Sequence, residues 1–316
     1  MSVLIESEAR DDLANFHGAR LAVGYFIDAT ERIGRNLDLD LLDALIFLTI
    51  LWRNIREFVF TGRADSPAPL DARREASVYC MARDLSMPYE TVRRRVVSLS
   101  EAGLCERTAK GYVVPPLTFR RPEFVAVLSE AVAATGQFVA DLKAIGIKMP
   151  EPHSPPLDEI HRRMARLSVQ FYVEGIAGLS KALELDPVRT LVLLTINRLN
   201  ARELALETEL AQAHAQAETP FPEDRRAMVS VYAIGKALRL PYETTRRHVQ
   251  KLVDAGICIR DEAGRLLVPA ASWDSAKTRA GIHVTWSCTR RFLNALAQLG
   301  MTAPTLMAGH SPPHSL

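Results

Sequence analysis

Sequence patterns of catalysis, metal binding and disulfide frameworks are missing from this chain of 316 residues. It contains no HExxH, no paired CxxC, no P-loop, no GxGxxG after a strand and no GxSxG, and its eight histidines are dispersed. The four cysteines, at positions 80, 105, 258 and 288, are scattered, as is typical of free thiols in a reducing cytoplasm. We therefore expect neither an enzyme nor a metal or cofactor site.

The sequence also lacks a strong net charge and a long apolar run. Because the net charge is only +2, any basic surface must come from local clustering. The longest apolar run, LLDALIFLTILW (41–52), is too short to span a bilayer and contains Asp43. The N-terminal MSVLIESEARDD does not have the pattern of a secretory signal. These features predict a cytoplasmic protein without membrane contact.

The chain contains an internal duplication. Residues 78–104 match residues 231–257 without a gap, and 13 of the 27 positions are identical. The helical segments upstream of this match agree at a constant shift of 146 residues. Because proline cannot extend a helix, the segment KMPEPHSPPLDE (148–159) is typical of an exposed linker. The sequence predicts two tandem domains, a first copy at 1–150 and a second copy at 151–303, followed by a flexible tail at 304–316.

Both copies predict the same order of elements, and the fold class is mainly α with small β-hairpins. Each copy begins with a long amphipathic helix and a strongly apolar helix, and continues with two short helices, a hairpin and a closing helix. The flanking helices are expected at about 10–36, 39–59 and 121–146 in the first copy and at about 158–183, 186–213 and 274–299 in the second.

The second short helix of each copy, called here the basic helix, is expected at about 88–102 and 241–255. In the first copy, Val92, Val96 and Leu99 form an apolar face at positions i, i+4 and i+7. The opposite faces carry Tyr89, Glu90, Arg93 and Arg94 in the first copy and Tyr242, Glu243, Arg246 and Arg247 in the second. Further candidate binding residues of these helices are Thr91 and Arg95 in the first copy and Thr244, His248 and Lys251 in the second. Tyr-Glu-Thr and two arginines are unchanged between the copies, whereas Val97 is replaced by Gln250. A solvated charged face is the alternative, but solvated charges have no reason to match while their neighbours change.

Turn residues mark the ends of the basic helices. Pro88 and Pro241 are expected in the first helical turn, where the missing N–H would be unpaired in any case. Gly103 and Gly256 are expected as left-handed C-caps. The segments CERTAKGYVVP (105–115) and CIRDEAGRLLVP (258–269) then predict hairpins with glycine at the tip, which add the basic residues Arg107, Lys110 and Arg265.

The order of helix, turn, basic helix and hairpin resembles winged helix-turn-helix transcription regulators. The flanking helices are most similar in layout to the MarR-like group, and the resemblance covers each copy almost end to end. It implies two winged helix-turn-helix domains that form a pseudo-two-fold dimer within one chain through their terminal helices. The Asp/Arg-rich wing sequence usual in that group is not found in RTAKGYVV or RDEAGRLL.

Elementary chemistry also favours double-stranded DNA as the partner. An α-helix fits the major groove, where arginine can donate two hydrogen bonds to guanine O6 and N7. Glu90 and Glu243 could accept from cytosine N4, or hold Arg94 and Arg247 one turn on. Tyr89 and Tyr242 are expected to contact a thymine methyl group or a phosphate. His248 in place of Arg95 could weaken one half-contact or make it depend on pH, with a phosphate contact or drift as alternatives.

The leading hypothesis is a transcriptional regulator that reads a near-palindromic site. The alternatives are a replication or partition initiator and an interaction module that does not bind DNA. The aromatic pairs Tyr25–Phe26 and Phe171–Tyr172 are expected either to line an effector pocket or to be core residues. Cys105 and Cys258 are expected either to form a redox switch or to be buried as small apolar residues. The chain is expected as a monomeric pseudo-dimer or as a species that associates further.

Overall fold

The computed structural model describes residues 2–56, 74–151, 160–202 and 223–301, with side chains from Phe16 in the first helix and from Arg163 in the sixth. These residues are mainly helical, and their strands form two antiparallel two-stranded hairpins. The coarse fold class is as predicted. The predicted helical segments 57–59 and 203–213, the linker 152–159 and the tail 304–316 lie outside the described residues.

The first copy follows the predicted order of elements. It comprises α1 (Ser2–Leu37), α2 (Leu41–Ile55), α3 (Val78–Asp84), α4 (Tyr89–Glu101), β1 (Glu106–Arg107), β2 (Tyr112–Val113), a 3-10 turn (Pro116–Arg120) and α5 (Pro122–Ala144). In the hairpin, Glu106 lies opposite Val113 and Arg107 lies opposite Tyr112. The basic helix of this copy is α4.

The second copy repeats that order. It comprises α6 (Ile160–Leu183), α7 (Pro187–Asn200), a 3-10 turn (Glu223–Arg225), α8 (Val231–Leu238), α9 (Tyr242–Asp254), β3 (Ile259–Arg260), β4 (Leu266–Leu267), a 3-10 turn (Ala270–Ser272) and α10 (Ala276–Gln298). Ile259 lies opposite Leu267 and Arg260 lies opposite Leu266. The basic helix of this copy is α9.

The chain divides into two compact units whose borders differ from those of the sequence copies. One unit contains residues 1–31, 144–147 and 176–287, and the other contains 32–143, 148–175 and 288–316. The first of these units includes α7, α8, α9 and the hairpin β3–β4, and the second includes α2, α3, α4 and the hairpin β1–β2. Each unit therefore keeps one basic helix with its own hairpin, whereas α1, α6 and α10 contribute residues to both units.

A buried asparagine at the end of α2 holds the first hairpin. The Asn54 amide nitrogen donates to the carbonyl of Arg74 at 2.8 Å and to that of Tyr112 at 3.5 Å. Its amide oxygen accepts from the Val114 backbone N–H at 2.8 Å. The Asn54 side chain is only 1% exposed and Val114 is fully buried, so the Val114 N–H depends on this amide for its hydrogen bond.

Asn200 makes the same arrangement at the end of α7. Its nitrogen donates to the carbonyls of Ala227 at 2.6 Å and Leu266 at 3.0 Å, and its oxygen accepts from the Val268 N–H at 3.2 Å. The residue is fully buried. The two copies thus use one amide each to attach the hairpin to the apolar helix.

The backbone also repeats at left-handed residues that are not glycine. Asp38 has a φ of 53° and its counterpart Glu184 has 55°, while Ser86 has 51° and its counterpart Arg239 has 54°. These four are the positive-φ residues other than glycine in the described part of the chain. Both members of each pair share a conformation that side chains rarely adopt, although their residue types differ. The duplication therefore extends to backbone geometry at positions where the sequences do not match.

The aromatic pairs considered as a pocket lining are core residues. Phe26 is fully buried and Tyr25 is 6% exposed in one unit, while Phe171 and Tyr172 are each 3% exposed in the other. The Phe171 ring stacks on Phe292 with centroids 4.5 Å apart and planes 4° apart. Ordinary core packing accounts for these side chains.

Of the described helices, α5 is long and apolar enough to cross a bilayer by length and composition, with a mean hydropathy of 1.3 over its most apolar window. A single helix of this kind is weak evidence, because core helices of soluble proteins have similar composition. Phe124, Phe138 and Leu142 of α5 are buried in the protein.

Replacing either asparagine should destabilise its unit strongly. Asn54→Ala or Asn200→Ala leaves the buried N–H of Val114 or Val268 without its partner and breaks the other links to the hairpin, so we expect a loss of about 2–4 kcal/mol in the free energy of unfolding. Urea unfolding followed by circular dichroism measures it. Gln137→Ala, which removes an exposed 2.7 Å hydrogen bond to Asp141, is the control. An equal, small loss in all three variants would contradict the role of the asparagines.

Candidate nucleic-acid interface

The apolar faces of the basic helices are buried as predicted. Val92 and Val96 are fully buried and Leu99 is 2% exposed, and in the second copy Val249 and Leu252 are fully buried. The counterpart of Val92 is Thr245, which is also fully buried. Its hydroxyl donates to the Pro241 carbonyl at 3.1 Å, so a polar residue fits the apolar site.

The C-terminal ends of the basic helices agree with the prediction, and the N-terminal ends differ from it. Gly103 and Gly256 both have a φ of 69°, so the predicted left-handed C-caps are confirmed. Pro88 and Pro241 were expected inside the first turn, but they precede it as N-cap residues with ψ of 134° and 142°. Their carbonyls still accept the first helical hydrogen bonds, which explains why proline fits there.

The outer face of each basic helix presents the same set of exposed side chains. Tyr89 is 52% exposed and Tyr242 is 57% exposed. The outer faces consist of Tyr89, Glu90, Arg93 and Arg94 in α4 and of Tyr242, Glu243, Arg246 and Arg247 in α9. Thr91 and Thr244 lie at the border of these faces, because they are half-buried.

A two-point ion pair fixes one arginine on each outer face. Arg93 donates to both carboxylate oxygens of Glu90, each at 2.7 Å. Arg246 donates to both oxygens of Glu243, each at 2.8 Å. The hydrogen bonds from these arginines hold the pKa of Glu90 and Glu243 below the usual range of a glutamic acid.

This geometry corrects the expected partners of the two glutamates. They were expected to hold Arg94 and Arg247, four residues on, but they bind the arginines three residues on. Arg247 makes longer contacts with the same residue: its Nε donates to the Glu243 carbonyl at 3.4 Å and lies 4.0 Å from the Glu243 carboxylate. Within the described residues, Arg94 makes no hydrogen bond or ion pair, so it is free to contact a ligand.

Arg95 was predicted as a binding residue, but its side chain does not belong to the outer face. Its guanidinium lies 2.9 Å from both oxygens of Asp40 and 2.8 Å from Asp43, and the side chain is 22% exposed. Asp40 is also the N-cap of α2 and accepts from the Asp43 N–H at 2.9 Å. Arg95 therefore joins the basic helix to the start of the apolar helix.

His248, the counterpart of Arg95, has a different charge environment. The residue equivalent to Asp43 is Arg189, which forms an ion pair with the N-cap residue Asp186. Burial lowers the pKa of His248, a shift that Asp186 opposes and that Lys251, Arg189 and Arg247 increase. The histidine is thus mostly neutral at pH 7, and an arginine in its place would face Arg189.

The charge differences between the copies at these two positions are therefore linked. Asp43 with Arg95 in one copy corresponds to Arg189 with His248 in the other. This relation was visible in the sequence, because the pairs align at the shifts found for the two matching segments. Neither position reveals the relation by itself.

The hairpins differ in how they hold their basic residues. Arg107 in β1 and Lys110 at the tip are exposed. The tip is ordered by Thr108, whose hydroxyl accepts from the Gly111 N–H at 3.1 Å. In the second copy, Arg265 donates to Asp261 at 2.8 Å across the tip, so its charge is partly neutralised.

One exposed aromatic residue in each copy was not predicted. Tyr79 in α3 is 69% exposed and Tyr232 in α8 is 70% exposed. Both are the second residue of their helix and lie one turn before a basic residue, Arg83 or Lys236. The identical Val-Tyr pair in the aligned segments was the signal that could have found them.

The equivalent cysteines are buried thiols. Cys105 is 1% exposed and Cys258 is 2% exposed, and burial raises the pKa of each thiol to about 12. The Cys105 thiol donates weakly to the Val96 carbonyl at 3.8 Å. Because the thiolate is the reactive form, these groups are unsuited to a redox switch.

Comparison with known proteins gives no match: no family model, no curated protein and no solved structure matches the chain. The geometry of the two copies is therefore the basis for assigning a function.

The linked charges predict the outcome of a mutant cycle. Arg95→His leaves Asp40 and Asp43 without their cation, and should lower the free energy of unfolding by about 1–2 kcal/mol. Adding Asp43→Arg reproduces the charges of the second copy and should recover much of that loss. Urea unfolding of both single variants and the double variant measures the coupling. Additive losses would show that the two positions act independently.

Proposed function

We propose that this protein is a sequence-specific regulator of transcription that binds double-stranded DNA through the outer faces of α4 and α9. In this proposal each copy is a winged helix-turn-helix domain, with the hairpin as its wing, in a layout similar to the MarR-like group. The two domains form a pseudo-two-fold dimer within one chain. The protein then acts in the cytoplasm, at the nucleoid, without a cofactor.

The observation that carries the proposal is the identity of the two outer faces. Tyrosine, glutamate and two arginines recur in the same places, and the Arg93–Glu90 and Arg246–Glu243 pairs have the same two-point geometry. Exposed ion pairs add little to stability, so the fold gives no reason to retain them. A ligand that both copies contact gives such a reason.

The chemistry of these faces suits DNA. In Arg93 and Arg246 the glutamate binds the Nε–Nη2 edge of the guanidinium, so the Nη1–Nη2 edge is held in place to donate to guanine O6 and N7 without breaking the ion pair. Arg94, and Arg247 with its long contacts to Glu243, can approach phosphates, and the exposed tyrosines offer a hydroxyl and an apolar ring. Arg107 and Lys110 give the first hairpin a basic surface next to the helix.

Charge is concentrated where the proposal requires it. Residues 71–116 contain eight Lys or Arg and six Asp or Glu, a net of +2, and residues 224–269 contain nine and five, a net of +4. Because the whole chain is also +2, the remaining residues are acidic on balance. Release of counterions from DNA favours such local basic clusters.

Matching outer faces call for matching half-sites. We expect a near-palindromic site with half-sites about 34–36 Å apart, one turn of the duplex, so that one chain supplies both helices. Further self-association and a small-molecule effector are compatible with this proposal but not required by it.

Removing the fixed arginine from both faces should abolish specific binding. For Arg93→Ala/Arg246→Ala we expect at least about 100-fold weaker binding, because each two-point contact to guanine contributes about 1–3 kcal/mol. The measurement is fluorescence anisotropy with fragments selected from the source genome, across a salt series. Lys181→Ala/Arg290→Ala removes the same charge from exposed positions outside the basic helices and is the control.

The outcomes separate the candidate functions. Equal binding by the wild type and Arg93→Ala/Arg246→Ala would refute the assignment of the outer faces. Absence of binding by the wild type even at low salt would favour an interaction module that does not contact DNA. Where the selected fragments lie distinguishes a regulator, bound at promoters, from an initiator, bound at an iterated origin.

A further inference from the structure

We infer that the two basic helices are unequal, and that α9 is the dominant half of the DNA interface, with Lys251 as a phosphate-binding residue. This inference rests on the proposed function and adds to it which half binds the polyanion more tightly. It comes from comparing equivalent positions of the two copies.

Carboxylates neutralise two cations of the first copy, Arg83 and Arg95, whose counterparts in the second copy have no such partners among the described residues. Arg95 is bound by Asp40 and Asp43 and is removed from the outer face. Arg83 on α3 donates to Asp84 at 3.1 Å, and Asp84 also binds Arg53 of α2. A guanidinium already bound by a carboxylate gains less from a phosphate, since the existing ion pair must first be broken.

The second copy lacks these carboxylates and has an additional cation. Ala237 stands where the first copy has Asp84, so Lys236, the counterpart of Arg83, has no acidic neighbour at that position. Lys251 stands where the first copy has Ser98, and both residues are exposed. The nearby Asp254 accepts from Gln250 at 2.7 Å instead.

Lys251 extends the basic part of the outer face by one turn. Arg247 and Lys251 are four residues apart, which places them on one side of α9. The corresponding row in α4 ends in a hydroxyl, because Arg94 is followed by Ser98. Within the described residues, no carboxylate lies within ion-pair distance of Lys251.

Net charge over the aligned helices agrees with this difference. Residues 78–101 contain four Lys or Arg and three Asp or Glu, a net of +1, and residues 231–254 contain five and two, a net of +3. The hairpins show the opposite trend, since Lys110 is exposed at one tip while Arg265 is paired with Asp261 at the other. The asymmetry is therefore assigned to the helices and not to the hairpins.

If α9 binds DNA more tightly than α4, the two half-sites should not be equally important for binding. A chain held mainly by α9 stays on DNA when the half-site under α4 is altered, whereas alterations under α9 release it. Each neutralised phosphate adds about 0.9 to the slope of log affinity against log salt, so one lysine is measurable.

The test exchanges the two differing residues in the full-length chain. Lys251→Ser gives α9 the residue of α4, Ser98→Lys gives α4 the residue of α9, and the double variant keeps the net charge of the wild type. Binding to a fluorescein-labelled, mixed-sequence duplex is followed by anisotropy over a potassium chloride series, and circular dichroism melting verifies that each variant folds.

We expect Lys251→Ser to bind roughly five- to ten-fold more weakly at 0.1 M salt and to lose about 0.9 from the slope. Ser98→Lys should gain a similar factor. Unchanged binding of Lys251→Ser would overturn the inference while the proposed function stands. If the wild type does not bind DNA, the proposed function fails and the inference fails with it.

Discussion

One buried amide in each copy sets the position of everything that the outer face needs. Asn54 and Asn200 are buried, and each binds one carbonyl and one N–H of the hairpin segment and one carbonyl that precedes the first short helix of its copy. The helix that carries the asparagine also packs against the basic helix of the same copy. In each copy the apolar helix therefore positions both the hairpin and the basic helix. A buried amide is well suited to this task, because any shift of the hairpin would leave polar groups unpaired, whereas an apolar contact can slide.

Local sequence patterns predicted the helices and their ends, whereas contacts between residues far apart in the sequence could not be predicted. The i, i+4, i+7 spacing of Val92, Val96 and Leu99 and the positions of Gly103 and Gly256 are local, so they predicted the buried face and the C-caps. Asn54 binds groups that lie 20, 58 and 60 residues away, and nothing beside it in the sequence indicates them. Arg95 could have been placed correctly. It lies three residues after Val92 and four before Leu99, so the helical period puts it beside the buried face and away from its two arginine neighbours.

The duplication predicted the order of elements but not the borders of the compact units. Residues 1–31 of α1 belong to the unit with the second basic helix, and residues 148–175 belong to the unit with the first. When two copies have helices with the same apolar pattern, either helix can cover the equivalent face in the other copy. A pattern of apolar residues does not distinguish these alternatives, since the choice depends on small differences in packing between competing arrangements.

The two copies differ in a way that separates the requirements of the fold from those of the outer face. In a homodimer every substitution enters both halves at once, whereas a duplicated chain can change one half alone. Where side chains face the fold, the copies differ in compensating pairs, as in Asp43 with Arg95 and Arg189 with His248. The outward tyrosine, glutamate and arginines make no hydrogen bond or ion pair with another element in the part of the chain that the structure describes, yet they are the same in both copies. The fold thus supplies little reason for their identity, whereas the proposed shared ligand would act on both copies alike.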